Sequence, residues 1–371
     1  MTILGSAAGL FCLAALLVHA STVALVLARR RRAAPAARPA VSIVRPVCGL
    51  ENHIETTLAS AFRLDHPRYE LLICVAHGRD PAVPLVEAMI AAHPEVPARL
   101  LVGEERISEN PKLNNIAKGW RAAAHDWIVL EDSNVLMPPD YLDRLLASWG
   151  ADTGLVSSPP IGCRPDGFWA EIECGFLNTY QARWQCCADA LGHGFAQGKS
   201  MLWRREDLDC RGGLRVLGRE AAEDAAATRV VRGAGLRVQL VDRPFPQPLG
   251  ARSAAEVWRR QVRWARLRRA SFPACYAPEI VASASLPLAA AALAAPDVGL
   301  SPLAGALVLA SAWYGLEALL AWRAGWHLSP VSPLAWLARD LALPALFVAG
   351  WFGNGFVWRG HAMRAVAQRA R

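Results

Sequence analysis

Paired metal and redox ligands are what this chain of 371 residues most conspicuously lacks. Its nine cysteines contain no C-x-x-C, and Cys186 and Cys187 are adjacent without a pairing pattern. That excludes a small disulfide framework and fits thiols in a reducing compartment. The nine histidines offer no pair at zinc-site spacing, so a structural zinc module is excluded too. Charge is also scarce: 19% of residues are charged against 53% hydrophobic. The composition is apolar for a soluble protein and too polar for a pure transporter, so one catalytic domain with a few membrane spans fits the length. A net charge of +8 calls for an anionic partner: nucleic acid, anionic lipid or nucleotide phosphate.

The first 28 residues carry no Asp, Glu, Lys or Arg, a run long enough to cross a bilayer. Arg29-Arg30-Arg31-Arg32 follows, which by the positive-inside rule places the next segment in the cytoplasm. A cleaved signal peptide is the rival, but there the positive charge precedes the apolar run. The domains expected are a transmembrane anchor 1–28, a basic, proline-containing linker 29–40, a catalytic domain 41–250, a basic interfacial helix 251–278, membrane segments 279–358 and a basic tail 359–371.

From Val41 the pattern alternates between strands and helices. Strands are expected at 41–44, 70–76, 98–102, 127–130, 154–157 and 237–241. Helices are expected at 51–63, 82–92, from Asn110 onward, 169–191 and 218–231. Asn110-Pro111 is a helix start, with Asn as N-cap and Pro in the first turn. Strands separated by helices predict a mostly parallel sheet covered on both faces, with ligands beyond the strands' carboxyl ends. Residues 192–198 read as a loop. Gly192-x-Gly194-x-x-x-Gly198-Lys199-Ser200 is not a P-loop: the spacing needs glycine where His193 stands, and a helix precedes it. After Pro278 the apolar segments 280–296, 301–322 and 341–358 are expected in the membrane. Three crossings there would put Arg359, Arg364, Arg369 and Arg371 outside, against the positive-inside rule.

Several residues could carry chemistry, each beside a plainer reading. Asp132-Ser133-Asn134 ends a strand, where a carboxylate suits a divalent metal on a diphosphate, but such triplets also cap turns. Asp80 could bind a nucleotide or simply make the turn Arg79-Asp80-Pro81. Lys112, in a helix's first turn, opposes the helix dipole unless an anion lies near; the alternative is a solvated surface lysine. Asp224 in Glu223-Asp224 could be a general base or half of a surface acidic pair. Arg252 to Arg269 holds seven arginines, suiting nucleic acid or an anionic membrane surface; the nearby apolar segments favour the membrane.

In order, Asp80, Asp132, Asp224 and Arg260-x-x-Arg263-Trp264 match the D, D, D, [Q/R]-x-x-R-W series, and the chain resembles the ceramide glucosyltransferase family, most of all its bacterial branch. The resemblance runs from Val41 to about Glu279. It includes Leu64-Asp65-His66-Pro67-Arg68-Tyr69-Glu70, Asn110-Pro111-Lys112-Leu113-Asn114-Asn115, Gly167-Phe168 and Ala222-Glu223-Asp224. It implies an α/β fold: a GT-A nucleotide-diphospho-sugar transferase domain with a mostly parallel central sheet, an N-terminal transmembrane helix and C-terminal membrane helices. It implies inverting transfer from a UDP-sugar, UDP-glucose first, to the primary hydroxyl of ceramide. Asp80, Lys112 and Asp132 would bind the donor, and Asp132 and Asn134 a divalent metal, Mg²⁺ or Mn²⁺. Asp224 would be the catalytic base, and Arg260, Arg263 and Trp264 would line the acceptor and diphosphate site. Many GT-A enzymes have Asp-x-Asp where this chain has Asp132-Ser133-Asn134, so metal dependence follows less directly than the fold.

The implied partners are the UDP-sugar, the lipid acceptor and an anionic membrane, not nucleic acid; the implied place is the bacterial inner membrane, catalytic domain in the cytoplasm. The nearest rival is N-acetylglucosamine transfer to a hopanoid lipid. A non-catalytic membrane-surface or nucleic-acid-binding protein is the rival of another class. A transporter is disfavoured because Glu317, Arg339 and Asp340 look too scattered to form a pathway.

Overall fold

The computed structural model describes residues 2–358 and 361–365, so Arg359, Arg369 and Arg371 of the expected basic tail lie outside the described residues. The chain forms two compact units. One holds Arg30–Ile161, Ala188–Gly250 and the stretch from Gly355. The other holds the N-terminal stretch to Arg29, Gly162–Cys187 and Ala251–Asn354.

The first unit is built on seven strands: β1 (Val41–Val47), β2 (Tyr69–Val75), β3 (Ala98–Val102), β4 (Trp127–Glu131), β5 (Thr153–Ser158), β6 (Ser200–Arg204) and β7 (Arg237–Leu240), in the order β3-β2-β1-β4-β6-β5-β7. Only β6 runs against the others. The strands are near-continuous apolar runs because both faces are covered. Successive side chains point to opposite faces. Ile43, Leu71, Ile73 and Val129 pack into one core layer with Leu58 and Val86. Val44, Leu72, Cys74, Ile128 and Leu130 pack into the other with Leu113, Ile116 and Trp120. Those last three lie on the helix Pro111–Ala122, which rides close to the sheet. A Cβ at Gly119 would sit 2.5 Å from Val44 Cγ1 and 2.8 Å from Cys74 Sγ, so glycine permits the approach.

The elements differ from those expected in several places. β6 follows the expected loop 192–198 where no element is expected: a five-residue antiparallel strand is defined by its neighbours β4 and β5. The helix expected at 218–231 starts at Glu223 and runs to Gly233, after a separate short helix Leu214–Leu217 that ends at Gly218. Glu223 and Asp224 therefore sit in a first helical turn, where the dipole favours carboxylates. The long helix expected at 169–191 is present, but its middle, Phe176–Ala182, is π-helical between Phe168–Gly175 and Arg183–Ala190.

The second unit gathers the apolar helices. Among the described residues four runs are long and apolar enough to cross a membrane: Ile3–Leu27, Pro273–Val298, Pro302–Ala324 and Ser332–Trp351. The last one corrects the segment expected at 341–358. It starts nine residues earlier, and Gly355–Trp358 is instead a strand paired with His361–Arg364. Arg339 and Asp340 had hidden the helix's first half from a hydropathy reading. Nor are they scattered. Arg339 pairs with Glu317 at 2.9 Å and with Asp340 at 3.0 Å, all three no more than 1% exposed, and reaches Gly175 O and Thr179 Oγ1 as well. The arginine-rich helix Ala254–Ser271 also belongs here, started by a capping box between Ser253 and Glu256.

Candidate active site

β1, β2 and β4 end at one edge of the sheet, and antiparallel β6 starts there. Residues after β4 and before β6 therefore meet: the backbone N–H of Asp132 donates to Lys199 O at 2.9 Å. The β4 end is held from below by buried Arg45, which donates to Ser133 O and Val135 O, both at 2.9 Å. That fixes the backbone on either side of Asn134.

Asp132 is the centre of an ion cluster. Its Oδ1 lies 2.7 Å from Lys112 Nζ and its Oδ2 2.9 Å from Lys199 Nζ. Lys199 also donates to Asn134 Oδ1 at 3.0 Å. The carboxylate thus faces two ammonium groups instead of capping a turn. Lys112 continues to Glu223 Oε1 at 2.8 Å and donates to Gly198 O. It is 7% exposed, which rules out a solvated surface lysine. Its helix is capped by Asn110, whose Oδ1 accepts from the N–H of Lys112 at 2.9 Å while its Nδ2 donates to Glu223 Oε2 at 3.0 Å. Asp224 accepts from the N–H of Gly198 at 3.1 Å and of Ala225 at 2.8 Å.

Burial works against charge throughout this cluster, and the pairing decides the result. Burial would lower the pKa of Lys112, but Asp132 and Glu223 outweigh it and raise it. Burial would raise that of Asp132, but Lys112 and Lys199 hold it well below the ordinary carboxylate range. Asp224 has no such partner. Burial and the adjacent Glu223 charge raise its pKa to about 6, against the smaller opposing pull of two backbone N–H groups and Lys112. A carboxylate poised near neutrality is suited to taking a proton from a hydroxyl. Beneath the site, burial pushes Glu131 up to about 8, and Tyr141 and Ser200 donate to it.

Lys112, Asp132, Asn134 and Asp224, four of the residues singled out from sequence, come together here. Asp80 is engaged differently. It is 4% exposed, and its carboxylate accepts from the N–H of Gly49 at 3.0 Å and of Ala82 at 2.9 Å, joining the turns after β1 and β2. Arg260, Arg263 and Trp264 belong to the other unit. There Arg260 pairs at 2.7 Å with the fully buried Glu173, which also takes Arg252 at 3.0 Å.

Sequence reasoning missed Gly198-Lys199. A Cβ at Gly198 would come within 2.6 Å of Glu223 Oε1 and 3.2 Å of Lys112 Nζ, so the bare backbone lets the segment thread through the cluster. One signal was available: the chain has only three lysines, Lys112, Lys118 and Lys199, and two of them are here.

The metal expected at Asp132 and Asn134 meets a partial ligand set. Among the described residues no group of three or more His, Cys, Asp or Glu could hold an ion. Yet Asp132 Oδ2 and Asn134 Oδ1 already converge on one cation, the Lys199 ammonium. Two oxygens placed to share an ammonium are placed to share a metal, with water and phosphate oxygens completing the shell.

Known proteins resemble this chain along most of its length. The glycosyl transferase family 21 model matches residues 8–370. Ceramide glucosyltransferase 3 of Caenorhabditis elegans is 27% identical over 339 residues, 87% of this chain and 72% of that protein. Ceramide glucosyltransferase 1 of the same organism is 28% identical over 237 residues, and the ceramide glucosyltransferase of Komagataella phaffii 32% over 193. These two matches span 51% and 38% of the relatives' lengths and 63% and 46% of this chain. Among solved structures, mannosyltransferase PcManGT from Pyrobaculum calidifontis, in complex with GDP-Man and Mn²⁺, superposes with a TM-score of 0.56 at 19% identity, covering 94% of this chain and 98% of that one. That likeness shows the fold: a GT-A-type α/β domain together with apolar helices.

Proposed function

The chain belongs to glycosyl transferase family 21, and from that premise we propose that it transfers glucose from UDP-glucose to the primary hydroxyl of ceramide with inversion. It is a glycosyltransferase, so the non-catalytic reading is set aside. The observation that carries the finer proposal is one poised carboxylate, Asp224, beside the Lys112–Asp132–Lys199 ion cluster at the carboxyl edge of the sheet.

In this reading the acceptor oxygen attacks the anomeric carbon from the face opposite the diphosphate. Asp224 takes the hydroxyl proton, the bond from carbon to the diphosphate oxygen breaks, and UDP leaves with the electron pair. The products are a β-glycoside and UDP. A single displacement needs one base and a stabilised leaving group, and no covalent nucleophile. Lys112 supplies positive charge where the leaving diphosphate gains negative charge. A divalent ion, Mg²⁺ or Mn²⁺, held by Asp132 and Asn134, would add Lewis-acid neutralisation of the diphosphate. Asp80 would help hold the nucleotide at the turns after β1 and β2 that its carboxylate joins. Arg260, Arg263 and Trp264 are assigned to the acceptor and diphosphate, with Glu173 fixing the direction of Arg260. The apolar helices support a membrane-borne acceptor, and Arg29–Arg32 by the positive-inside rule favours the cytoplasmic side of a bacterial inner membrane for catalysis.

Asp224→Asn tests the reading. Losing such a base costs on the order of 10²–10⁴ in rate. Transfer should fall by that much while UDP binding, measured by calorimetry, stays close to wild type. A variant that turns over normally would refute the base assignment.

A further inference from the structure

We propose that Lys199 is a donor-binding residue of this site. It acts as the resident counter-cation of Asp132 and Asn134 until the diphosphate and its metal arrive, then turns its ammonium onto the diphosphate. The inference rests on the donor assignment of the preceding subsection and goes beyond it by adding a residue and an order of events.

The two lysines are not equivalent. Lys112 Nζ has three N–H donors and three oxygen partners, Asp132 Oδ1, Glu223 Oε1 and Gly198 O, with its side chain 6% exposed. It is committed. Lys199 spends two donors, on Asp132 Oδ2 at 2.9 Å and Asn134 Oδ1 at 3.0 Å, and its side chain is 16% exposed. Its backbone is fixed: Lys199 O accepts from the N–H of Asp132, and the next residue, Ser200, opens β6 opposite Glu131. Only the four-carbon stem must turn to carry the charge from carboxylate to phosphate.

The oxygens that Lys199 occupies are those a metal would need. Two cations cannot share Asp132 Oδ2 and Asn134 Oδ1 at hydrogen-bond distance, so metal and ammonium exclude each other there. The diphosphate resolves the competition: it brings oxygens for the metal and a new anion for the displaced lysine. The residue type supports the role. This chain takes its cations almost entirely as arginine, yet both site cations are lysine. A compact ammonium on a flexible stem can change partners where a planar guanidinium would have to reorient its whole fork.

The test uses the full-length protein purified in detergent, with Lys199→Met and Lys199→Gln beside wild type. Mn²⁺ binding without nucleotide is followed by electron paramagnetic resonance, and UDP binding in saturating Mn²⁺ by calorimetry. With the competing charge removed, Lys199→Met should bind Mn²⁺ alone about tenfold more tightly and UDP about tenfold less tightly. Unchanged Mn²⁺ affinity would overturn the counter-cation role, and unchanged UDP affinity the phosphate contact. Wild type needs no variant to be informative: UDP should tighten its Mn²⁺ binding by about tenfold or more, and equal affinities with and without UDP would overturn the exchange. Should wild type bind no UDP while Lys199→Met still gains Mn²⁺ affinity, the donor assignment fails and the counter-cation role stands.

Discussion

At Asp224 two neighbours contend for one proton. Burial and the Glu223 charge favour the neutral acid and bring its pKa to about 6, while the N–H groups of Gly198 and Ala225 favour the anion. A base must be ionised to work, so transfer should hold a plateau above pH 6 and fall below it, to about a tenth at pH 5. Glu223→Gln removes a charge that raises this pKa, so the acid limb of the pH–rate profile should move to lower pH; an unmoved limb would assign it to another group. Stability runs the other way. Because the folded-state pKa is raised, the neutral form stabilises the fold below the ordinary carboxylate range, and that contribution is lost as the pH rises through about 6. Asp224→Asn should therefore melt no lower than wild type at pH 7, even though it is inactive.

At the scale of elements, the site hangs on two helix starts and one threaded loop. Asn110 caps its own helix and holds Glu223 of another, so Asn110→Ala should cost about 1 kcal/mol for the cap and release Glu223 besides. Denaturant unfolding measures the first effect and a weakened UDP affinity the second. The helix beginning at Asn110 was legible because Asn, Pro and an i, i+3, i+4, i+7 apolar stripe are all local signals. The parallel strands were legible because burial on both faces makes them continuous apolar runs. Lys112 could not be resolved between surface and site, since its partners Asp132 and Glu223 are distant in sequence. β6 and the Gly198-Lys199 turn escaped for the same reason: an antiparallel strand inserted between β4 and β5 is defined by its neighbours, not by its own pattern. Gly198→Ala should lower activity in a folded protein, because the added methyl would push the Glu223 carboxylate off Lys112. A fully active Gly198→Ala would show that the loop has room.

At the scale of the whole chain, hydropathy located the first apolar helix, Ile3–Leu27, and failed at Ser332–Trp351, where paired charges hide inside an apolar helix. Arg339 is held by Glu317 and Asp340 and ties this helix to Gly175 and Thr179. Removing one partner of a buried pair leaves an uncompensated charge and costs about 3–5 kcal/mol. Arg339→Met should accordingly fail to accumulate as folded protein, seen as lost monodispersity in detergent. Deleting residues 1–28 should leave much of the protein in the membrane fraction, because three other apolar runs remain; a fully soluble product would contradict their assignment. Purified wild type would be offered ceramide and a hopanoid polyol, each with UDP-glucose, UDP-galactose, UDP-glucuronate and UDP-N-acetylglucosamine, with Mg²⁺ or with EDTA, and the lipids weighed by mass spectrometry. Hexosylceramide from UDP-glucose is the expected product. A glycosylated hopanoid with ceramide untouched under every donor would contradict it.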